Sequence, residues 1–399
     1  MREADVAIVG SGLAGSAAAA MLGRAGYAVA VIDPHAVYPA DFRCEKLDGP
    51  QVAVLRKTGL ADAVLRASTL DGEVWVARYG HLLEKKPSDQ QGILYDTLVN
   101  TVRGEIPDSV TRIKAKATAI ETGPDRQKLT LNTDETIDAR LVIVANGLNA
   151  AFRHAALDMP REVLSECHSI TIGFDFLPVG RPSFDFRALT YYPERCSRRM
   201  AYLTLFPIGS VMRANLMVYR TMDDPWLSHM RHQPTDGLRQ IMPRLGRITG
   251  DYDVDEAVKI RPADLYVTKN YRRAGVVLVG DAFATSCPAA GTGTLKVFND
   301  VERLCNVHVP RWLETPGMGA EKIAAFYDDP EKQAIDRHSY EKAYFLRSLS
   351  IDPSLPWRAR RDLRFAAGYA AGLVRQIGRR APIGTPDRGE PAAGIGKSA

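Results

Sequence analysis

The residues best placed by type and spacing to do chemistry stand near the start of the chain. In DVAIVGSGLAGSAAAAMLGRAGYAVAVID, residues 5–33, an apolar run meets Gly10, Gly12 and Gly15, followed by a small-residue stretch, a second apolar run and an acid, Asp33. Gly10 permits a sharp turn, Gly12 lets backbone N–H groups approach a pyrophosphate, and Gly15 lets a helix pack closely on a strand. Ser11, Leu13 and Ala14 fill the turn and are read as cofactor-binding with the glycines. Asp33, about 20 residues beyond the turn, would accept hydrogen bonds from adenosine ribose hydroxyls. Glycine-rich turns alone are common. The flanking strands and the acid are what make this one a dinucleotide site, and the pattern does not separate FAD from NAD.

A second cluster supplies that separation. VVLVGDAFATSCPAAGTGTLKVFNDVERL, residues 276–304, carries Gly280, Asp281, Pro288, Gly291, Gly293 and Asp300. Here the chain resembles the para-hydroxybenzoate hydroxylase-like (group A) flavoprotein monooxygenases, whose second fingerprint is a strand, Gly-Asp, then a proline and a glycine-rich turn opening a helix. The resemblance implies FAD as cofactor, with Asp281 on the ribitol chain. Pro288, Gly291, Thr292, Gly293 and Thr294 would bring backbone N–H groups against the flavin pyrimidine, where a helix dipole favours the negative charge of reduced flavin. A strand ending in a helix cap would explain Asp281, but not the spaced Pro288 and Gly293.

Two further residues enter through the same resemblance. Arg43, in DFRCEKLDGPQVAVLRKTGL, stands where relatives place an arginine near the FAD ribose and pyrophosphate, and Gln91 where they use Arg or Gln to touch the cofactor. The plainer readings are an ion pair of Arg43 with Asp41 or Glu45, and a helix cap or solvated side chain for Gln91. One segment departs from the family. Relatives carry Asp-Gly-x-x-Ser with a following Arg, a segment associated with FAD and NAD(P)H together, whereas this chain has Asn146-Gly147-Leu148-Asn149-Ala150 with Arg153 retained. Asn146 can still hydrogen-bond, and Asn146 and Gly147 are kept as cofactor-binding, but the nicotinamide partner is put in question. A strand-ending turn is the alternative.

If the chain behaves as these relatives do, NAD(P)H reduces FAD, O2 adds at flavin C4a, and the hydroperoxide delivers one oxygen to an aromatic or other apolar small molecule. The cofactor carries the hard chemistry while the protein orients the substrate and excludes water. No catalytic side chain and no metal ligand is assigned, and the eight histidines form no convincing set. Phe174, Phe176, Tyr191, Tyr192, Phe206 and Met212 are the candidate lining of an apolar substrate pocket, against the competing reading that they are ordinary core. A halogenase is one rival. Its relatives carry a WxWxIP stretch, absent here, and a lysine beside the flavin, for which Lys46 is near the right region. A lipid or isoprenoid reductase is another, left open by CEKL and Asn146. From a different class comes a membrane-surface flavoprotein without hydroxylase activity. Residues 357–380, WRARRDLRFAAGYAAGLVRQIGRR, place Phe365, Tyr369, Leu373 and Ile377 at four-residue spacing between clustered arginines, a pattern for docking on anionic lipid. A C-terminal helix covering the core with a solvated basic face is the competing reading.

The elements that must hold these residues follow from composition and periodicity. A chain of 399 residues, 45% hydrophobic, is long enough for a substantial core shared by two interlocked domains. A formal charge of +5 gives no case for nucleic acid. Five scattered cysteines without a CxxC pair fit a reducing cytoplasm, and no basic-then-apolar leader opens the chain. Strand, helix and strand are expected over residues 5–33, helical spacing over 89–103, hairpin-like strands over 112–145 and an antiparallel sheet over about 165–262. A parallel strand at 275–281 and helices to about residue 380 follow. The fold class is therefore α/β, and the resemblance implies a Rossmann-like FAD-binding domain with an inserted, mainly antiparallel β substrate domain and C-terminal helices. The expected boundaries are 1–75, 88–160 and 263–330 for the cofactor domain and 76–87 with 161–262 for the substrate domain. Residues 331–380 are the helices and 381–399, rich in Pro, Gly and Ala, a disordered tail.

Overall fold

The computed structural model describes residues 2–380, with side chains to residue 370. The tail expected over 381–399 lies outside the described residues, as do the side chains of Leu373 and Ile377.

The opening motif folds as a βαβ unit of β1 (Arg2–Val9), α1 (Leu13–Arg24) and β2 (Val29–Ile32). Alanines and glycines make α1 thin enough to be buried along almost its whole length. β1 pairs in parallel with β2 on one side and with Thr136–Val144 on the other. That last strand is shared along its free edge. Its first half pairs antiparallel with Gln127–Leu131, and its second half pairs in parallel with Val276–Leu278. The strands that carry the two glycine-rich turns therefore end at the same edge of one sheet, a single strand apart.

A second sheet runs in the order Tyr252–Val254, Arg161–Pro178, Val211–Val218, Met200–Ile208, Ala188–Tyr192, Glu73–Arg78 and His81–Pro87, with Lys259–Thr268 also on Arg161–Pro178. It is antiparallel apart from one pair, Ala188–Tyr192 with Glu73–Arg78, which is parallel. Successive side chains alternate between its faces. Ile170, Ile172, Phe174 and Phe176, together with Leu203, Leu205, Ala214 and Leu216, form a core with Trp226, Met230, Leu238 and Leu245 of the helical segment that follows. The other face carries Thr171, Thr190, Thr204 and Asn215 beside Tyr192, Tyr202 and Met217.

The helix expected from residue 89 begins later, at Tyr95, and runs to Gly104. Gln91 and Gly92 instead pair as a short strand with Lys46–Leu47 and Thr69–Leu70. The reason lies in tertiary contact. A Cβ on Gly92 would stand 2.1 Å from the Pro207 carbonyl oxygen, so the backbone of the second sheet passes directly against this position. The long helix Pro330–Ile351 packs against the helix Gly293–Arg303 and the strand Met200–Ile208, and the last one, Leu355–Arg380, against His81–Pro87.

Candidate active site

The first turn is shaped by contacts that only glycine permits. Gly10 has φ +97°, and a Cβ there would lie 2.7 Å from the Ala145 carbonyl oxygen. One on Gly15 would lie 1.9 Å from the Gly10 carbonyl. Gly12 is different: its nearest neighbour would be the Tyr38 ring at 4.0 Å, so open space stands over it. Helix α1 starts there without a side-chain cap, leaving amide donors for an anion. Asp33 accepts the Ser11 N–H at 2.7 Å and the His35 N–H at 2.8 Å. Beneath them lies Arg103, 7% exposed, whose Nε donates to the Ser11 carbonyl at 2.7 Å and Nη1 to the His35 carbonyl at 2.8 Å. Its Nη2 stands 3.4 Å from Asp33. Sequence reasoning missed this arginine. Its only signal was a charged residue on the apolar stripe of Tyr95–Gly104, next to Val99 and Val102.

The second turn leaves Val276–Leu278 at Gly280 (φ +59°), passes Pro288 and reaches the helix Gly293–Arg303 through Gly291 (φ +66°). A Cβ on Gly291 would meet nothing within 4 Å, and one on Gly293 only Ser286 at 3.8 Å. Asp300 serves the turn from behind, accepting the Gly280 N–H at 2.9 Å and the buried Lys332 ammonium at 2.8 Å. Gln51, in a capping box with Asp48, donates to the Gly291 carbonyl at 2.9 Å. Thr292 is 1% exposed and paired with Ser339 at 2.7 Å, so its side chain is turned inward.

Between the turns and the threonine-bearing sheet face lies a cavity of about 750 Å³. Leu13, Arg43, Asp281, Pro288, Gly291, Gly293 and Thr294 line it from the cofactor side. Arg43 lines the cavity, donates to Asp281 at 2.9 Å, and makes the expected ion pair with Asp41 at 2.7 Å. Glu45 is not its partner. That carboxylate is held by Arg213 at 2.8 Å and Asn215 at 2.8 Å. Gln91 accepts from the Ser68 hydroxyl at 2.9 Å and does not line the cavity, whereas its neighbour Gln90 does. Asn146 and Gly147 also stand back from it. Arg153, fully buried, donates to the Asn146 side chain and to the Gly147 and Asn149 carbonyls at 3.0 Å each, and presents Leu148 of that turn to the cavity.

The expected aromatic pocket is corrected on most of its residues. Phe174, Phe176 and Tyr191 are fully buried in the core on the far face of the sheet, and Met212 packs on the same core. Phe206 is 1% exposed, beneath Lys46, whose ammonium stands 5.3 Å from its ring centre. Tyr192 alone of the six lines the cavity. Strand alternation is the physical reason: the apolar residues face the second core, so the residues between them, Thr171, Thr190, Thr204 and Asn215, face the cavity. Lys46 lines it too, and burial pulls its ammonium down to about 8.

Open space over Gly12, next to a cavity that runs from Leu13 past Arg43 and Asp281 to Gly291 and Gly293, fits an extended dinucleotide. Residues 3–306 match the family described as FAD binding domain. The chain belongs to that family. This FAD-binding oxidoreductase is 26% identical over 400 residues to the 3-demethoxyubiquinol 3-hydroxylase of Escherichia coli (strain K12), covering 93% of this chain and 96% of that protein. It is 31% identical over 284 residues to the menaquinone reductase of Mycobacterium tuberculosis (strain ATCC 25618 / H37Rv), covering 66% of this chain and 58% of that protein. The solved structure of p-nitrophenol 4-monooxygenase PnpA from Pseudomonas putida DLL-E4 has the same fold, with a TM-score of 0.71 at 18% identity, covering 94% of this chain and 97% of that one. The flavoprotein is thus a member of the para-hydroxybenzoate hydroxylase-like superfamily that its two glycine-rich turns resemble, and its cofactor is FAD.

Proposed function

We propose that this flavoprotein hydroxylates the ring of a small aromatic or quinol-like molecule, using O2 and NAD(P)H. The observation that carries the reading is one continuous cavity, running from the cofactor turns to the face of the second sheet that carries Thr171, Thr190, Thr204 and Asn215, with half-buried Lys46 on its wall. Bound FAD supplies hydride acceptance and the activation of O2 at its C4a position. The protein does the rest. Amides around Ser11, Gly12, Leu13, Ala14 and Gly15 hold the pyrophosphate, and Asp33, set by Arg103, takes the ribose. Asp281 takes the ribitol, and the turn from Pro288 to Thr294 faces the pyrimidine. Thr171, Thr190, Thr204 and Asn215 offer hydrogen bonds to ring substituents, and the Lys46 ammonium favours a phenolate or carboxylate there. The cofactor part would comprise 1–75, 88–160 and 263–330, and the substrate part 76–87 and 161–262. Five cysteines without a disulfide are consistent with a reducing cytoplasm.

The relative that hydroxylates 3-demethoxyubiquinol supports ring hydroxylation. A second reading, reduction of a lipid quinone or isoprenoid, is favoured by Asn146 in place of the usual acid and by the menaquinone reductase relative. Anaerobic mixing of the yellow holoprotein with NADH or NADPH, with and without phenols, separates them. Bleaching accelerated by a phenol, followed on aeration by an oxygenated product, is the expected result. Bleaching that a quinone or polyprenyl acceptor reverses without O2 would support the reductase instead.

A further inference from the structure

The last helix turns its apolar side away from the protein. Its inner face is made by Trp357, Arg361 and Phe365, one turn apart. Trp357 stacks edge-on with Phe345 at 5.5 Å, and Arg361, 5% exposed, donates to the Leu349 carbonyl at 2.6 Å. Phe365 lies 5.1 Å from the Tyr192 ring and 3.9 Å from the Arg78 guanidinium. Phe365 therefore does not belong to the outward stripe expected from the sequence. The residues opposite are Leu355, Ala359, Leu363, Ala366 and Ala370, which recur at the spacing of one helix face. All five are exposed, Leu355 at 76% and Leu363 at 69%, with Tyr369 at 47% on the flank. Arg358 stands on one side of this face, and Arg360 and Arg364 on the other, with Asp362 the only acid on the helix.

We propose that the outward face of the last helix over residues 355–370 docks on an anionic lipid surface, Leu355 and Leu363 entering the acyl boundary and the flanking arginines meeting the headgroups. An apolar helix face flanked by arginines is the arrangement of a helix lying in a membrane interface. Among the described residues no helix is long and apolar enough to cross a membrane, so the contact is peripheral. A second copy of the chain is the poorer occupant. Two such faces meeting about a twofold axis would bring the arginine rows against each other. Arg364 also lines the cavity beside Lys342, Phe345 and Leu346 of the preceding helix, so the helix that docks is the one that borders the cavity.

The test is flotation of the full-length holoprotein with phosphatidylcholine vesicles, with and without phosphatidylglycerol. The expected result is flotation only with the anionic vesicles, reversed by high salt. The double variant Leu355→Glu/Leu363→Glu, which touches neither cavity nor inner face, should lose binding by about tenfold or more while keeping its flavin absorbance. Protein that stays at the bottom with anionic vesicles overturns the proposal, as does a double variant that floats like the parent. So does light scattering that shows a dimer which the double variant splits, because the face would then belong to a second copy. The salt arm needs no variant. None of these readouts uses turnover, so their failure leaves the oxygenase reading untouched, and failure of that reading leaves them standing.

Discussion

Lys46 is a cavity group whose charge burial makes open to change. Burial holds its ammonium down to about 8, so it is positively charged below that pH and neutral above. An anionic ring ligand, such as a benzoate already ionised across the whole range, should therefore bind best below pH 8 and weaken as pH rises through it. Perturbation of the flavin absorption band, titrated at several pH values, measures this. Lys46→Gln should flatten the profile and weaken binding below pH 8 by about tenfold, the worth of one charge-assisted hydrogen bond. A profile that keeps its step in the variant would assign the titration elsewhere. Arg103 makes a different prediction. Its two short bonds hold the first turn against the carboxylate that is to take the ribose. Arg103→Leu should thus raise the FAD dissociation constant by roughly ten- to a hundredfold, at about 1.5–3 kcal/mol for hydrogen bonds to a charged group. Fluorescence quenching of added FAD reads it, and Arg103→Lys should recover part of the loss. Equal affinities in the Leu and parent proteins would make Arg103 a packing residue only.

At the scale of elements, the helix Gly293–Arg303 is tied to Pro330–Ile351 by a buried pair. Asp300 and Lys332 are each 1% exposed and 2.8 Å apart, and Lys332 also reaches Asp336 at 3.1 Å. Removing one partner leaves an uncompensated buried charge. Lys332→Met should accordingly cost about 3–5 kcal/mol, seen as a fall in the midpoint of denaturant unfolding, and Asp300→Asn/Lys332→Met should recover much of it. Losses that simply add in the double variant would deny the coupling. The same element shows why some of the fold was legible and some not. Asp300 belongs to a local spacing that includes Gly280 and Pro288, and local spacing survives into structure because strand, turn and helix close on themselves. Lys332 carries no local signal: in the sequence it is one lysine on a charged helix, and only packing against Phe283 and Phe326 reveals it. Gln91 sits in a strand rather than a helix for the related reason that a distant backbone, at Pro207, lies against its neighbour Gly92. The aromatic pocket fails through parity. The aromatic residues of Arg161–Pro178 and Ala188–Tyr192 announce a buried face, but not which of two possible partners, cavity or helical layer, it is buried against.

For the molecule as a whole, the C-terminal helices close a cavity that the two sheets leave open at one end. Phe345, Leu346 and Arg364 line it from these helices, and the last helix is pinned across the mouth by Phe365 against Tyr192 and Arg78. An oxygenase needs that closure, because water reaching the reduced cofactor diverts O2 to hydrogen peroxide instead of product. Phe365→Ala removes the pin without touching a glycine turn or a charged cavity group. With the helix loosened, NAD(P)H oxidation should continue at a similar rate while the share of electrons recovered as peroxide rises, on the order of severalfold. Peroxide is measured by a peroxidase-coupled assay against nicotinamide consumed, and hydroxylated product by chromatography. Unchanged coupling in Phe365→Ala would mean that the sheets and cofactor turns seal the site by themselves, and that the last helix serves the outer surface alone.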